Sequence, residues 1–322
     1  LRASLPRRVL PTKLKAVEIF TFRRQFRSGF ATVMLLVAGL CGCTTPAPTG
    51  ARKLADLEYS RAAGRPLRLD LYLPEQATNP LPVLVWIHGG AWKSGSKNWC
   101  PIAPLVTNGI AIASIEYRLS SEAKFPAQIM DCRAAIRWLR AQATAHQLDP
   151  ERIGVFGASA GGHLAALLGT ATGVREWDVG LHLDQSSRVR CVVAFYPPTD
   201  LDELTGSWFW RRVPFSDVGR LIGGAVQDNR DRVATANPAN YVSRETPPFF
   251  MLHGDRDRLV PLRQSELLQA ALKRVGVPVH LEIVRGKGHA IGPPPEAVPR
   301  LTEFLNRELG MRSPPSATAA GP

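Results

Sequence analysis

Apolar residues recur along this chain in two rhythms, and their alternation predicts a layered fold. Leu67, Leu69, Leu71 and Leu73 alternate with Arg68, Asp70 and Tyr72, the period-two pattern of a half-buried antiparallel edge strand. Residues 83–87 and 110–115 are instead continuous apolar runs, as expected of strands covered on both faces. Ile129, Cys132, Ile136 and Leu139 then fall at helical spacing within 129–141. Further strand-like runs occupy 153–156, 191–195, 249–252 and 279–284. Helical patterns cover 159–168, 261–275 and 296–309, the last closed by Gly310. This succession predicts an α/β fold, a mostly parallel central sheet with helices on both faces.

Two stretches break the rhythm. Residues 201–248 are too long for a simple connection and carry Trp208, Phe209, Trp210 and Phe215. They predict a small inserted cap, whose aromatics either form local core or line a pocket for an acyl or aryl group. Residues 44–50 are small and rich in Pro and Thr, so 44–56 reads as a flexible linker. It precedes a domain spanning 57–311, and residues 312–322, rich in Ser, Pro and Ala, read as a disordered tail.

The formal net charge of +13 changes the picture only after it is located. Residues 1–42 hold eight Lys/Arg and one Glu, which leaves +6 for the rest. There the basic residues are scattered, with no basic stripe interleaved with aromatics, so nucleic acid is not an expected partner. The N-terminal 1–43 reads as a targeting segment. Arg23, Arg24 and Arg27 precede the short apolar core 30–40, which ends in Leu40-Cys41-Gly42-Cys43. That ending resembles a bacterial lipobox and makes Cys43 the expected site of lipid attachment, with plain secretion or a buried helix as alternatives. The expected location is therefore outside the cytoplasm, periplasmic or membrane-anchored. Cys100, Cys132 and Cys191 remain, an odd number without metal-ligand spacing.

Candidate chemistry centres on Ser159 in Gly157-Ala158-Ser159-Ala160-Gly161-Gly162, between a predicted strand and a predicted helix. Small neighbours are needed where a serine sits on a tight strand-to-helix corner. A serine hydroxyl also needs an imidazole base, a carboxylate to fix that base, and donors for the oxyanion. His88-Gly89-Gly90-Ala91-Trp92 follows a strand, and the amides of Gly90, Ala91 and Ala160 are the expected oxyanion hole. Asp255 and Asp257 follow the strand at 249–252, and His289 follows the last strand. The order Ser, Asp, His along the chain completes the set.

These motifs, together with Glu116-Tyr117-Arg118-Leu119 and His253-Gly254-x-x-Asp257-x-x-Val260-Pro261, resemble the α/β-hydrolase carboxylesterases over about 57–309. The resemblance is nearest to the feruloyl-esterase-like and hormone-sensitive-lipase-like branches. It implies an acyl-enzyme on Ser159, with Asp257 as acid and His289 as base, acting on a small-molecule ester. No cofactor and no metal are implied. Aryl-formamidase or peptidase chemistry on the same fold is the runner-up, and a non-catalytic surface-anchored binding protein the remote one. Ala160 stands where the peptidases usually carry Tyr. Asp255 and Asp200 are the competing acids, and His163, locked on the same helix as the nucleophile, reads as structural rather than as the base. His88 and His253 are expected to organise the oxyanion loop and the acid turn, and Arg118 to pair with Asp131.

Overall fold

The apolar runs build one eight-stranded sheet in the computed structural model, which describes residues 44–77, 79–205 and 216–311. Its strands are β1 (Ala51–Ala62), β2 (Arg65–Pro74), β3 (Leu81–Ile87), β4 (Ala111–Ile115), β5 (Leu148–Ala158), β6 (Val192–Phe195), β7 (Phe249–Gly254) and β8 (Val279–Val284). They lie in the order β1-β2-β4-β3-β5-β6-β7-β8. β1 and β2 pair antiparallel, as do β2 and β4, and every later pairing is parallel. The fold is that of the α/β-hydrolases, as the resemblance implies.

Period-two alternation within the central strands feeds two cores. Val83, Val85 and Ile87 of β3 face one layer, with α1 (Ala127–Ala141) and α2 (Ala160–Thr170). Leu84 and Trp86 face the other, with Leu301, Phe304, Leu305 and Leu309 of the C-terminal helix Val298–Leu309. Strand order reverses between β3 and β5, because β4 lies on one side of β3 and β5 on the other. Ligands bind at such switch points, beyond the C-terminal strand ends. Both the His88–Trp92 segment and Ser159 leave the sheet there.

Two expectations need correction. The linker expected over 44–56 gives way to β1 at Ala51, and β2 is consequently an interior strand rather than the edge. The pattern of β1 hid it: register shifts at Leu54/Leu57 and Glu58/Ser60 interrupt the period of two. Charges along β1 (Arg52, Lys53, Asp56, Glu58 and Arg61) suit an exposed edge that must not pair further. Asp70 of β2 is buried against Lys97 at 2.6 Å and Lys53 at 2.7 Å. Ahead of β1, Thr45 is tied to the domain, its hydroxyl accepting from the Cys100 amide at 2.9 Å and its carbonyl from Tyr72 Oη at 3.0 Å.

Within 201–248, the described residues form the short helices Leu201–Leu204, Asp217–Ile222 and Arg230–Thr235. Leu201, Leu221, Ile222, Val233 and Ala236 join the same core as α1 and α2. Trp208, Phe209, Trp210 and Phe215 lie outside the described residues, as do the targeting segment with Cys43 and the tail. Cys100, Cys132 and Cys191 are buried free thiols.

Candidate active site

Ser159 stands alone between the last residue of β5 and the first of α2, with φ 55° and ψ −122°. Such a backbone costs a non-glycine residue about 1–3 kcal/mol, so its surroundings must hold it. They do so by close approach. A Cβ on Gly157 would overlap the Gly161 carbonyl, and one on Gly161 would overlap the Ile87 carbonyl. The two glycines thus let β5, α2 and β3 meet, and the half-buried serine is turned out of the sheet.

His289 lies in the loop after β8, and Asp257 in the turn after β7. Backbone bonds zip the loop and turn together. The Arg256 amide donates to the Lys287 carbonyl at 2.9 Å, and the Gly286 amide donates to Asp255 Oδ1 at 2.6 Å. The result is a continuous chain of hydrogen bonds. His289 Nδ1–H donates to Asp257 Oδ2 at 2.6 Å, which leaves Nε2 to accept from the Ser159 hydroxyl at 3.0 Å.

The carboxylate is held as an anion. Asp257 Oδ1 accepts from the amides of Leu259 and Val260, each at 2.9 Å. His253 Nε2 lies 3.3 Å from Oδ2 and 2.7 Å from the Val260 carbonyl. Burial on its own raises the Asp257 pKa, but hydrogen bonds from His253, His289 and the Val260 amide outweigh it. They keep the group well below the usual carboxylate range, so it stands ready to stabilise an imidazolium.

The oxyanion segment is built on a buried histidine. His88 stacks on Tyr117 with ring centroids 4.3 Å apart, and the Tyr117 hydroxyl donates to the His88 carbonyl at 3.0 Å. Its Nδ1 lies 2.8 Å from the Gly89 carbonyl. Burial pushes the His88 pKa down to about 4, so the ring is neutral and structural at neutral pH. The chain then turns through Gly90, Ala91 and Trp92, with φ values of 109°, 52° and 56°. Gly90 and Ala91 are half-buried, and the amides of Gly90, Ala91 and Ala160 donate to no backbone acceptor among the described residues. Donors left open beside a nucleophile can receive a developing oxyanion.

The competing residues are placed elsewhere. Asp200 caps the helix Leu201–Leu204, accepting from the amides of Asp202 and Glu203. Asp255 is exposed and serves the Gly286 amide. His163 is fully buried between Trp92 and Ala236. Arg118 and Asp131 form the expected forked pair, at 2.7 and 2.8 Å. One residue escaped the sequence reading. Tyr196, just past β6 with φ 38°, sets its ring edge-on to His289 at 4.6 Å. Its position one residue beyond a strand end was the available signal.

A family model described as BD-FAE matches residues 69–272. Esterase LipC of Mycobacterium tuberculosis is 32% identical over 207 residues, 62% of this chain and 50% of that protein. The structure of a truncated carbohydrate esterase from gut microbiota superposes with a TM-score of 0.76 at 30% identity, covering 82% of this chain and 99% of that one. A bifunctional GH43-CE protein of Bacteroides eggerthii gives a TM-score of 0.72 at 35% identity, covering 80% of this chain and 38% of that one. The chain spans about half the length of the curated relatives it matches.

Proposed function

We propose that this chain, which belongs to the BD-FAE family, is a serine carboxylesterase that hydrolyses small carboxylic esters through an acyl-enzyme on Ser159. The observation that carries the reading is the unbroken chain from Ser159 Oγ through His289 to Asp257, at 3.0 and 2.6 Å. His289 Nε2 takes the serine proton as Oγ attacks the ester carbonyl, and Asp257 stabilises the imidazolium. The amides of Gly90, Ala91 and Ala160 receive the oxyanion. His289 then returns the proton to the leaving alcohol, and water releases the acid by the same steps in reverse.

The likeness to carbohydrate esterases supports a sugar hydroxyl as the leaving alcohol. Two measurements test the proposal. A nitrophenyl organophosphate should release one nitrophenolate per chain and abolish turnover of nitrophenyl acetate. Untreated enzyme should turn over acetylated xylan faster than feruloyl esters, N-formylkynurenine or a peptide amide. Preference for the formamide would transfer the chain to aryl-formamidase chemistry, and no turnover of any of them would end the enzyme reading.

Export and anchoring through Cys43 belong to the same proposal, supported by Arg23, Arg24, Arg27, the apolar core 30–40 and the lipobox-like ending. Cys43→Ser should move the protein from the membrane fraction to the soluble one. Unchanged membrane association would remove the anchor.

A further inference from the structure

The oxyanion turn contains two consecutive non-glycine residues in the left-handed region, Ala91 and Trp92. Each is costly, and a pair of them persists only if something outside the turn fixes it. Two contacts on Trp92 do this. Its carbonyl accepts from the Ser120 amide at 2.7 Å, and its indole Nε1–H donates to His163 Nδ1 at 3.2 Å. The indole and imidazole also meet edge-to-face, with centroids 5.1 Å apart. Both side chains are buried.

His163 lies one helical turn beyond Ser159, and its amide donates to the Ser159 carbonyl at 2.9 Å. Because Nδ1 is occupied as an acceptor, Nε2 carries the proton and donates to the Ala236 carbonyl at 2.7 Å. Ala236 closes the helix Arg230–Thr235 of the 201–248 insertion. One imidazole therefore joins three parts of the molecule: the helix that presents the nucleophile, the turn that presents the oxyanion donors, and the insertion above them.

We infer that His163 is a positioning residue for ester hydrolysis, acting through Trp92 to hold the Gly90 and Ala91 amides where the oxyanion forms. This rests on the acyl-enzyme reading of Ser159. The effect belongs to the transition state, because a ground-state ester gains little from these donors until charge develops on its oxygen. Misplacing them should therefore lower kcat and leave KM nearly unchanged.

The two nitrogens can be separated. In His163→Asn the side-chain oxygen replaces Nδ1 and still accepts from Trp92, but the bond to Ala236 is lost. In His163→Gln the terminal amide reaches toward Ala236, and the acceptor for Trp92 is lost. With nitrophenyl acetate and the full chain, His163→Gln should lose about 10- to 100-fold in kcat with KM changed less than about twofold. His163→Asn should recover most of that loss. Trp92→Phe, which removes the N–H together with part of the buried ring, should lose at least as much as the Gln variant, and the double variant should be no worse than Trp92→Phe alone. Organophosphate titration counts the folded, reactive sites in each sample, so kcat refers to competent enzyme.

Equal losses in the Asn and Gln variants, a loss expressed in KM, or multiplying losses in the double variant would each overturn the proposal. Failure of the titrant to label the parent chain would instead strike at Ser159 chemistry itself, so the two failures are told apart.

Discussion

Ser159→Ala is expected to lower kcat for nitrophenyl acetate by about a millionfold, the scale seen when a serine nucleophile is removed. The residual rate should come from the oxyanion donors and substrate binding, which do not need the hydroxyl. The fold should survive. Alanine adds no bulk, and the corner is held by the close approach of Gly157 and Gly161 rather than by the hydroxyl. Among the described residues, the only side-chain bond lost is the one to His289 Nε2. Thermal unfolding should therefore move by no more than a few degrees, as for a loss of about 1 kcal/mol. A variant that folds normally and keeps more than about a hundredth of the parent rate would take the serine out of the chemistry.

Much of this arrangement was legible in the chain because it rests on short-range signals. The strand-to-helix corner at Ser159 is written in small residues packed around a single hydroxyl. The central strands are legible because burial on both faces makes their sequences nearly continuous apolar runs. β1 was not legible, for the opposite reason. Its two register shifts destroy the alternation, and its charges are those of a loop as much as of a protected edge. The Trp92–His163–Ala236 chain was illegible for a third reason. These contacts join residues 71 and 73 positions apart, and only the closed fold brings them together. His163 was read as structural on the sequence, and its two hydrogen bonds now say what it holds in place.

The acid is where sequence reasoning left a real choice, and geometry makes the choice testable. Asp257→Asn should lower kcat/KM by about ten-thousandfold, on the scale known for a triad aspartate made neutral. The direction follows from the two oxygens. The Leu259 and Val260 amides both point at Oδ1, so an asparagine must place its oxygen there and its NH2 at the Oδ2 position. The reverse orientation would set three donors against one another. With NH2 facing His289 Nδ1, that nitrogen must become the acceptor, and the proton moves to Nε2. Nε2–H then points at Ser159 Oγ and can no longer take its proton. The fold should remain, because the oxygen bound by the turn amides is kept. Asp255→Asn should retain its bond to the Gly286 amide and change the rate only a few-fold, since its carboxyl does not touch His289. Asp200→Asn preserves a good N-cap and should leave the rate unchanged. Measuring kcat/KM and thermal unfolding for all three variants decides the matter. A collapse in Asp255→Asn with Asp257→Asn active would transfer the role of the acid to Asp255.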